Sequence, residues 1–330
     1  MGAVLVLAIP GVVIVAVVVA VVLSWTTNLS LTEGFLVGAM VAATDPAAVI
    51  STFRRVKVAP RLATIVEMES LVNDGTGIVL FALALELLGG QASPSGSIVS
   101  FVVKVVGAAV LGAVAGRIAA ALVRRVDDHL AELTISAVLA YGSYLVAETA
   151  GLSGVIATLV AAGTFGAFAR DGLTTRAVED IDVVWEFIAF LLTAGVFLLV
   201  GVSITPNALI LAAGAIGWGI VAILIGRAIV VYGLVGLGST ALDRIGTARR
   251  GLGGSARVAP GQAVPRPWLH VLFWAGLRGA VSVALALSLP PDLPDRGLLQ
   301  GVTFGIVLFT LIVQGSTAGW VVRRSGAATP

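Results

Sequence analysis

Apolar stretches long enough to cross a hydrocarbon core of about 30 Å, roughly 20 residues each, recur from one end of this chain to the other with little between them. About ten are expected, near 3–24, 31–53, 63–89, 97–124, 131–149, 152–170, 183–204, 207–237, 268–289 and 298–322. No water-soluble fold covers that much apolar surface: 58% of the residues are hydrophobic, 12% are charged, and the mean hydropathy is +1.07. The expected fold class is therefore an all-α polytopic membrane protein, with the bilayer as its solvent. Most of the 40 glycines lie within apolar runs, where they let helices pack backbone to backbone in lipid.

Other functional classes fall away on composition. Cysteine is absent, which removes disulfides and thiolate metal sites, and His129 and His270 are the only imidazoles. No basic run suits nucleic acid, and no glycine-rich phosphate loop with its lysine suits an ATPase. No cofactor and no soluble domain are expected. Residues 1–330 read as one transmembrane domain, interrupted by a Gly-, Ala- and Arg-rich flexible loop over about 241–267.

The basic residues support this count of spans. Arg54, Arg55, Lys57 and Arg61 follow the second span, Arg124 and Arg125 the fourth, and Arg170 and Arg176 the sixth. Arg244, Arg249, Arg250, Arg257 and Arg266 follow the eighth, and Arg323 and Arg324 the tenth. Positive charge collects on the cytoplasmic side of alternate loops, so both termini are expected there, in a multi-pass protein of the plasma membrane.

A charge at bilayer depth costs several kcal/mol unless it is paired or wet, so each one is a functional candidate. Glu86, Lys104, Arg117, Glu148, Glu186 and Arg227 lie near span edges and read as snorkelling or helix-end charges. Deeper in, Ala43-Thr44-Asp45-Pro46 places a proline in mid-membrane, which removes a backbone donor and disfavours helix at Asp45. The helix is expected to break there, and a threonine hydroxyl, unwound carbonyls and a carboxylate form the oxygen-rich set that broken transporter helices offer to cations. In the third span, Glu67, Ser70 and Asp74 at offsets 0, 3 and 7 share one helical face, with Glu69 and Asn73 stacked beside it. In the ninth, Arg278 sits between Leu277 and Gly279 on an apolar helix and needs a carboxylate partner, for which Glu69 and Asp45 are the candidates. That leaves Asp74 as a carboxylate without a fixed cation, at which a proton and a metal cation exclude one another.

These residues carry a resemblance. The chain resembles the monovalent cation/proton antiporters of the CPA1 type, the NhaP- and NHE-like sodium/proton exchangers. The resemblance rests on Ala43-Thr44-Asp45-Pro46, on Glu69-Ser70-Leu71-Val72-Asn73-Asp74-Gly75-Thr76 and on Gly276-Leu277-Arg278-Gly279-Ala280. Tyr144-Leu145-Val146-Ala147-Glu148, Leu152-Ser153-Gly154-Val155 and Trp185 to Leu192 support it, in the family order along nearly the whole chain. It implies an inverted-repeat antiporter fold with two discontinuous helices crossing at mid-membrane, elevator-like alternating access and a homodimer. It further implies that Asp74 binds the ion or the proton, that Thr44 and Ser70 help coordinate Na⁺ (or Li⁺ or K⁺), and that Asn73 holds the unwound second span near Thr44. Glu69 is expected to pair with Arg278, with Asp45 supporting, and the Asn-Asp form is associated with electroneutral exchange. Family members usually carry about three further spans before the first one here, so the first repeat is expected to be incomplete, and Thr193 stands where the family often has asparagine. Two alternatives remain beside an antiporter: a non-transporting remnant or scaffold, and an intramembrane aspartyl protease using Asp45 and Asp74, whose usual sequence contexts are absent.

Overall fold

The computed structural model describes residues 2–89, 94–169, 172–203, 206–238 and 264–328. Among them there is no β-strand. The chain begins with α1 (Gly2–Ala8) and α2 (Pro10–Thr26), which together make one 25-residue span. Pro10 at the first position of α2 interrupts it, having no N–H to donate and a ring that crowds the preceding turn. The helix α3 (Leu31–Ala42) opens on a capping box: Ser30 Oγ accepts from the Glu33 amide, and the Glu33 carboxylate accepts from the Ser30 amide. It stops at Ala42, and the chain runs unwound through residues 43–46 before α4 (Ala47–Val56), as Pro46 leads one to expect.

Next come α5 (Pro60–Leu88), α6 (Pro94–Val123), α7 (His129–Thr149), α8 (Gly154–Ala169) and α9 (Thr175–Ser203). After the short α10 (Pro206–Leu211), α11 (Ala213–Ala228) runs on through a π-helical segment, Ile229–Leu237. The expected ninth span is two half-helices, α12 (Arg266–Trp274) and α13 (Ala280–Leu287), with an unwound stretch over residues 275–279. Finally α14 (Arg296–Phe309), a π-helical turn over Thr310–Gly315 and α15 (Ser316–Ser325) form one 30-residue span.

Eight helices among the described residues are long and apolar enough to cross a membrane, against the ten expected. The other two segments are α8, with 16 residues, and the interrupted α12–α13 pair. Arg170, Arg244, Arg249, Arg250 and Arg257 lie outside the described residues, as does most of the loop expected over 241–267.

Two compact units can be distinguished, Met1–Ala84 with Leu199–Pro330, and Leu85–Leu198. In the first, Gly34 and Gly38 on α3 face Ala20 and Ala16 on α2 so closely that a Cβ at Gly34 would lie 2.8 Å from the Ala20 carbonyl oxygen. This close approach of small residues spaced four apart buries α3, with Leu36, Val37, Met40 and Val41 fully enclosed. The second unit repeats the device: Gly112 and Gly116 on α6 meet Ala157 and Ala161 on α8.

Candidate functional site

The two unwound stretches meet. The Asp45 amide donates to the Leu277 carbonyl at 2.8 Å, and Arg278 Nη1 donates to the carbonyls of Ala42 at 2.9 Å and Ala43 at 3.2 Å. Those carbonyls end α3, where a helix leaves its last acceptors without intrahelical partners and carries partial negative charge, so a guanidinium is the natural cap. The Arg278 amide is held in turn by Thr310 Oγ1 at 3.0 Å. On the other side of the break, Asp45 Oδ1 accepts from the Ala47 amide at 2.9 Å and caps the start of α4. Gly279 makes the crossing possible, because a Cβ there would overlap the Asp45 carboxylate.

The middle of α5 closes onto this crossing. Asn73 Oδ1 accepts from the Thr44 amide at 3.2 Å, and Asn73 Nδ2 donates to Thr44 Oγ1 at 2.7 Å. Thr44 Oγ1 lies 3.1 Å from Ser70 Oγ. Thr44, Ser70 and Asn73 are all buried, so a backbone stretch freed from helix bonding is held by side chains of its neighbour. Asp74 is the next residue along α5. Its half-buried carboxylate has no hydrogen bond or ion pair among the described residues. Glu67, expected on the same face as Ser70 and Asp74, is exposed at the surface.

The expected partner of Glu69 is corrected. Glu69 pairs with Arg227 from α11, by both guanidinium Nη atoms, the second at 3.1 Å. Arg227 also donates Nε at 3.2 Å and Nη2 at 2.7 Å to the Leu272 carbonyl near the end of α12. Arg278 is unavailable for Glu69 because its guanidinium is directed to the end of α3. Each half-helix that points its carbonyl end inward therefore meets an arginine, Arg278 at α3 and Arg227 at α12. Ser282 Oγ, Gln314 Oε1 and Arg278 Nε are buried without a partner among the described residues, which leaves a polar interior beside the crossing. No group of three His, Cys, Asp or Glu among the described residues forms a resident metal site.

The profile of the family described as sodium/hydrogen exchanger, transmembrane, matches residues 1–324. The chain belongs to this family. It is 38% identical over 326 residues to the Na⁺/H⁺ antiporter ApNhaP of Aphanothece halophytica, a match covering 98% of this chain and 59% of that protein. It is 35% identical over 307 residues to the Na⁺/H⁺ antiporter NhaH of Halobacillus aidingensis, covering 91% of this chain and 70% of that one. The chain thus spans between 59% and 70% of the length of these curated relatives. Its fold is that of the sodium proton antiporter MjNhaP1 from Methanocaldococcus jannaschii, with a TM-score of 0.73 at 23% identity over 98% of this chain and 78% of that structure.

In this exchanger-family chain Arg227 is the site residue that sequence reasoning misplaced at a membrane edge. The span continues through the π-helical segment to Leu237, which puts Arg227 fifteenth of 25 residues and leaves it 6% exposed. Its depth in the apolar run was the available signal. Of the other charges expected near span edges, Glu86 pairs with Lys104, Glu148 accepts from the Gly154 amide at 2.9 Å, and Arg117 lies 4.4 Å from the Phe168 ring centroid. The relatives are named as antiporters and not as enzymes, and Asp45 is engaged in capping a helix, so nothing favours the aspartyl protease.

Proposed function

We propose that this chain exchanges a monovalent cation, Na⁺ foremost and Li⁺ or K⁺ by the same chemistry, for a proton, the two competing for Asp74. The observation that carries this reading is the distribution of partners at the crossing. Glu69 is neutralised by Arg227, Asp45 caps α4, and Asp74 alone of the three has neither a hydrogen bond nor a cation among the described residues. A carboxylate enclosed in that way holds either a proton or a cation and not both. Thr44 and Ser70 offer neutral hydroxyl oxygens to a dehydrated Na⁺, which prefers hard oxygen donors, while Asn73 holds Thr44 in place by its two hydrogen bonds.

If the chain interconverts between its two access states only when Asp74 is occupied, each cation carried one way returns as a proton. With asparagine rather than a second aspartate beside Asp74, one titrating group serves each cycle, which supports electroneutral one-for-one exchange. The named activity of the relatives as Na⁺/H⁺ antiporters points the same way. We take the two compact units to work as a single exchanger domain and the assembly to be a homodimer in the plasma membrane. The alternation of basic loops supports cytoplasmic termini.

The test is ΔpH-driven ²²Na⁺ uptake into liposomes holding the purified chain. Asp74→Asn is expected to abolish uptake while leaving the thermal unfolding midpoint near that of the parent. Lowering the pH on the cation-loading side is expected to raise the apparent KM for Na⁺ without lowering the maximal rate. Undiminished exchange by Asp74→Asn would sink the mechanism, and a folded parent chain that exchanges nothing leaves the scaffold reading in its place.

A further inference from the structure

The second compact unit holds a cavity of about 490 Å³, within the size range of small-molecule sites. It lies among α7, α8 and α9, walled by apolar side chains such as Leu139, Phe165 and Ile181. The neutral polar groups on its wall are already engaged. Trp185 Nε1 donates to Ser136 Oγ at 3.1 Å, Ser136 Oγ donates to the Leu133 carbonyl at 2.7 Å, and the Thr158 hydroxyl donates to the Gly154 carbonyl at 3.0 Å. What remains is Asp182, the one formally charged residue among those lining the cavity. Its exposed carboxylate has no hydrogen bond or ion pair among the described residues. Asp182 lies seven residues into α9, about 10 Å along the helix axis, beside Glu179 and Asp180, in an acidic stretch that favours a cation over an anion. Trp185 is three residues on, on the same face, and presents an indole ring of the kind that attracts a positive group.

We propose that this cavity binds an amphipathic organic monocation, its ammonium or guanidinium head on Asp182 and its apolar body against Trp185 and Phe165. A neutral apolar ligand would leave the carboxylate unanswered, and an anion would be repelled by it. A bare Na⁺ would make no use of the apolar walls, where Leu139, Phe165 and Ile181 suit a ligand with an apolar body. The site stands apart from the exchange reading: its residues lie within Leu85–Leu198, whereas Asp74 belongs to the other unit.

Equilibrium dialysis tests it, using the full chain in nanodiscs of phosphatidylglycerol, 1-naphthylmethylammonium as the probe and neutral 1-naphthylmethanol as its isostere. The parent chain is expected to bind the cation at least about tenfold more tightly than the alcohol, the ratio that one charge-assisted hydrogen bond supplies. Asp182→Asn is expected to bring that ratio close to one while leaving the alcohol's affinity unchanged. Gly166→Leu, whose side chain would enter open space on the cavity wall, is expected to weaken both ligands, and Ala162→Phe does the same work if that variant fails to fold. Adding phosphatidylethanolamine separates two sources of the same chemistry: weaker probe binding identifies a lipid amine as the occupant, and unchanged binding a soluble one. Equal affinity of the parent for cation and alcohol overturns the proposal, as does a preference that survives Asp182→Asn or binding indifferent to the filled cavity.

Discussion

The Glu69–Arg227 pair shows how a buried charge is kept and why losing its partner is costly. Both side chains are almost fully enclosed, and Arg227 satisfies the end of α12 as well as the carboxylate. Removing one member of a buried pair leaves the other uncompensated, so Glu69→Gln is expected to cost about 3–5 kcal/mol, measured as a lower unfolding midpoint in detergent. The paired change Glu69→Leu with Arg227→Met removes both charges together and is expected to cost clearly less, a difference that a double-mutant cycle reads directly. Gly279→Ala tests the crossing itself. A methyl group there meets the Asp45 carboxylate, so the α4 cap or the bond from the Asp45 amide to Leu277 must give way. Cation uptake should fall by more than tenfold even though the substitution adds one carbon, an estimate of about 1.4 kcal/mol or more in the barrier. At this scale the break at Thr44 to Pro46 and the shared face of Ser70 and Asp74 follow from local rules, a proline that breaks a helix and a spacing along one helix, whereas the contacts of Thr44 with Ser70 and Asn73, 26 and 29 residues away, were expected only through the family resemblance. Arg227 was expected from neither, because its partner is 158 residues away and no periodicity links the two.

Individual helices carry their own signals. Asp128 caps α7 by accepting from the amides of Leu130 and Ala131, both at 2.9 Å, in the loop outside the spans. The Ala131 amide, with help from Leu130, holds its carboxyl below the usual aspartate range. A carboxyl depressed in this way contributes stability above its unfolded value of about 3.9 and loses it as pH falls through the folded one. Asp128→Ala should therefore lower the unfolding midpoint at neutral pH, and the deficit should shrink steadily as the solution is taken below about pH 4. The small-residue stripes make a larger effect. At Gly38 an added side chain meets the backbone of Ala16, and at Gly116 that of Ala161, so Gly38→Val and Gly116→Val are each expected to destabilise by about 1–3 kcal/mol. Substitution at Gly142 or Gly163, where a Cβ meets nothing within 4 Å, should leave the midpoint within about 0.5 kcal/mol of the parent. Thermal unfolding of the four variants separates the two classes. The end of the eighth span at Leu237 was legible from its apolar run, whereas the π-helical winding over Ile229–Leu237 has no local sequence mark.

For the whole molecule, the amino-acid sequence by itself determined that the chain lives in a membrane, that it is helical, and that one span breaks at Pro46 beside a hydroxyl and a carboxylate. These conclusions rest on long apolar runs and on backbone rules that act within a few residues. The family resemblance carried by the Glu69 to Asp74 string and its companions agrees with the profile match over residues 1–324. Only the tertiary structure decided which charges neutralise one another. The break at 275–279 brings Arg278 to the carbonyl end of α3 and frees Glu69 for Arg227, a pairing set by how α5, α11 and the two half-helices pack. The structure likewise resolved ten expected spans into eight long helices, one short one and an interrupted pair. The physical reason is common to all of these differences. Burial in lipid is set by composition along the chain, whereas the pairing of buried charges depends on distances between helices far apart in sequence, which only packing establishes.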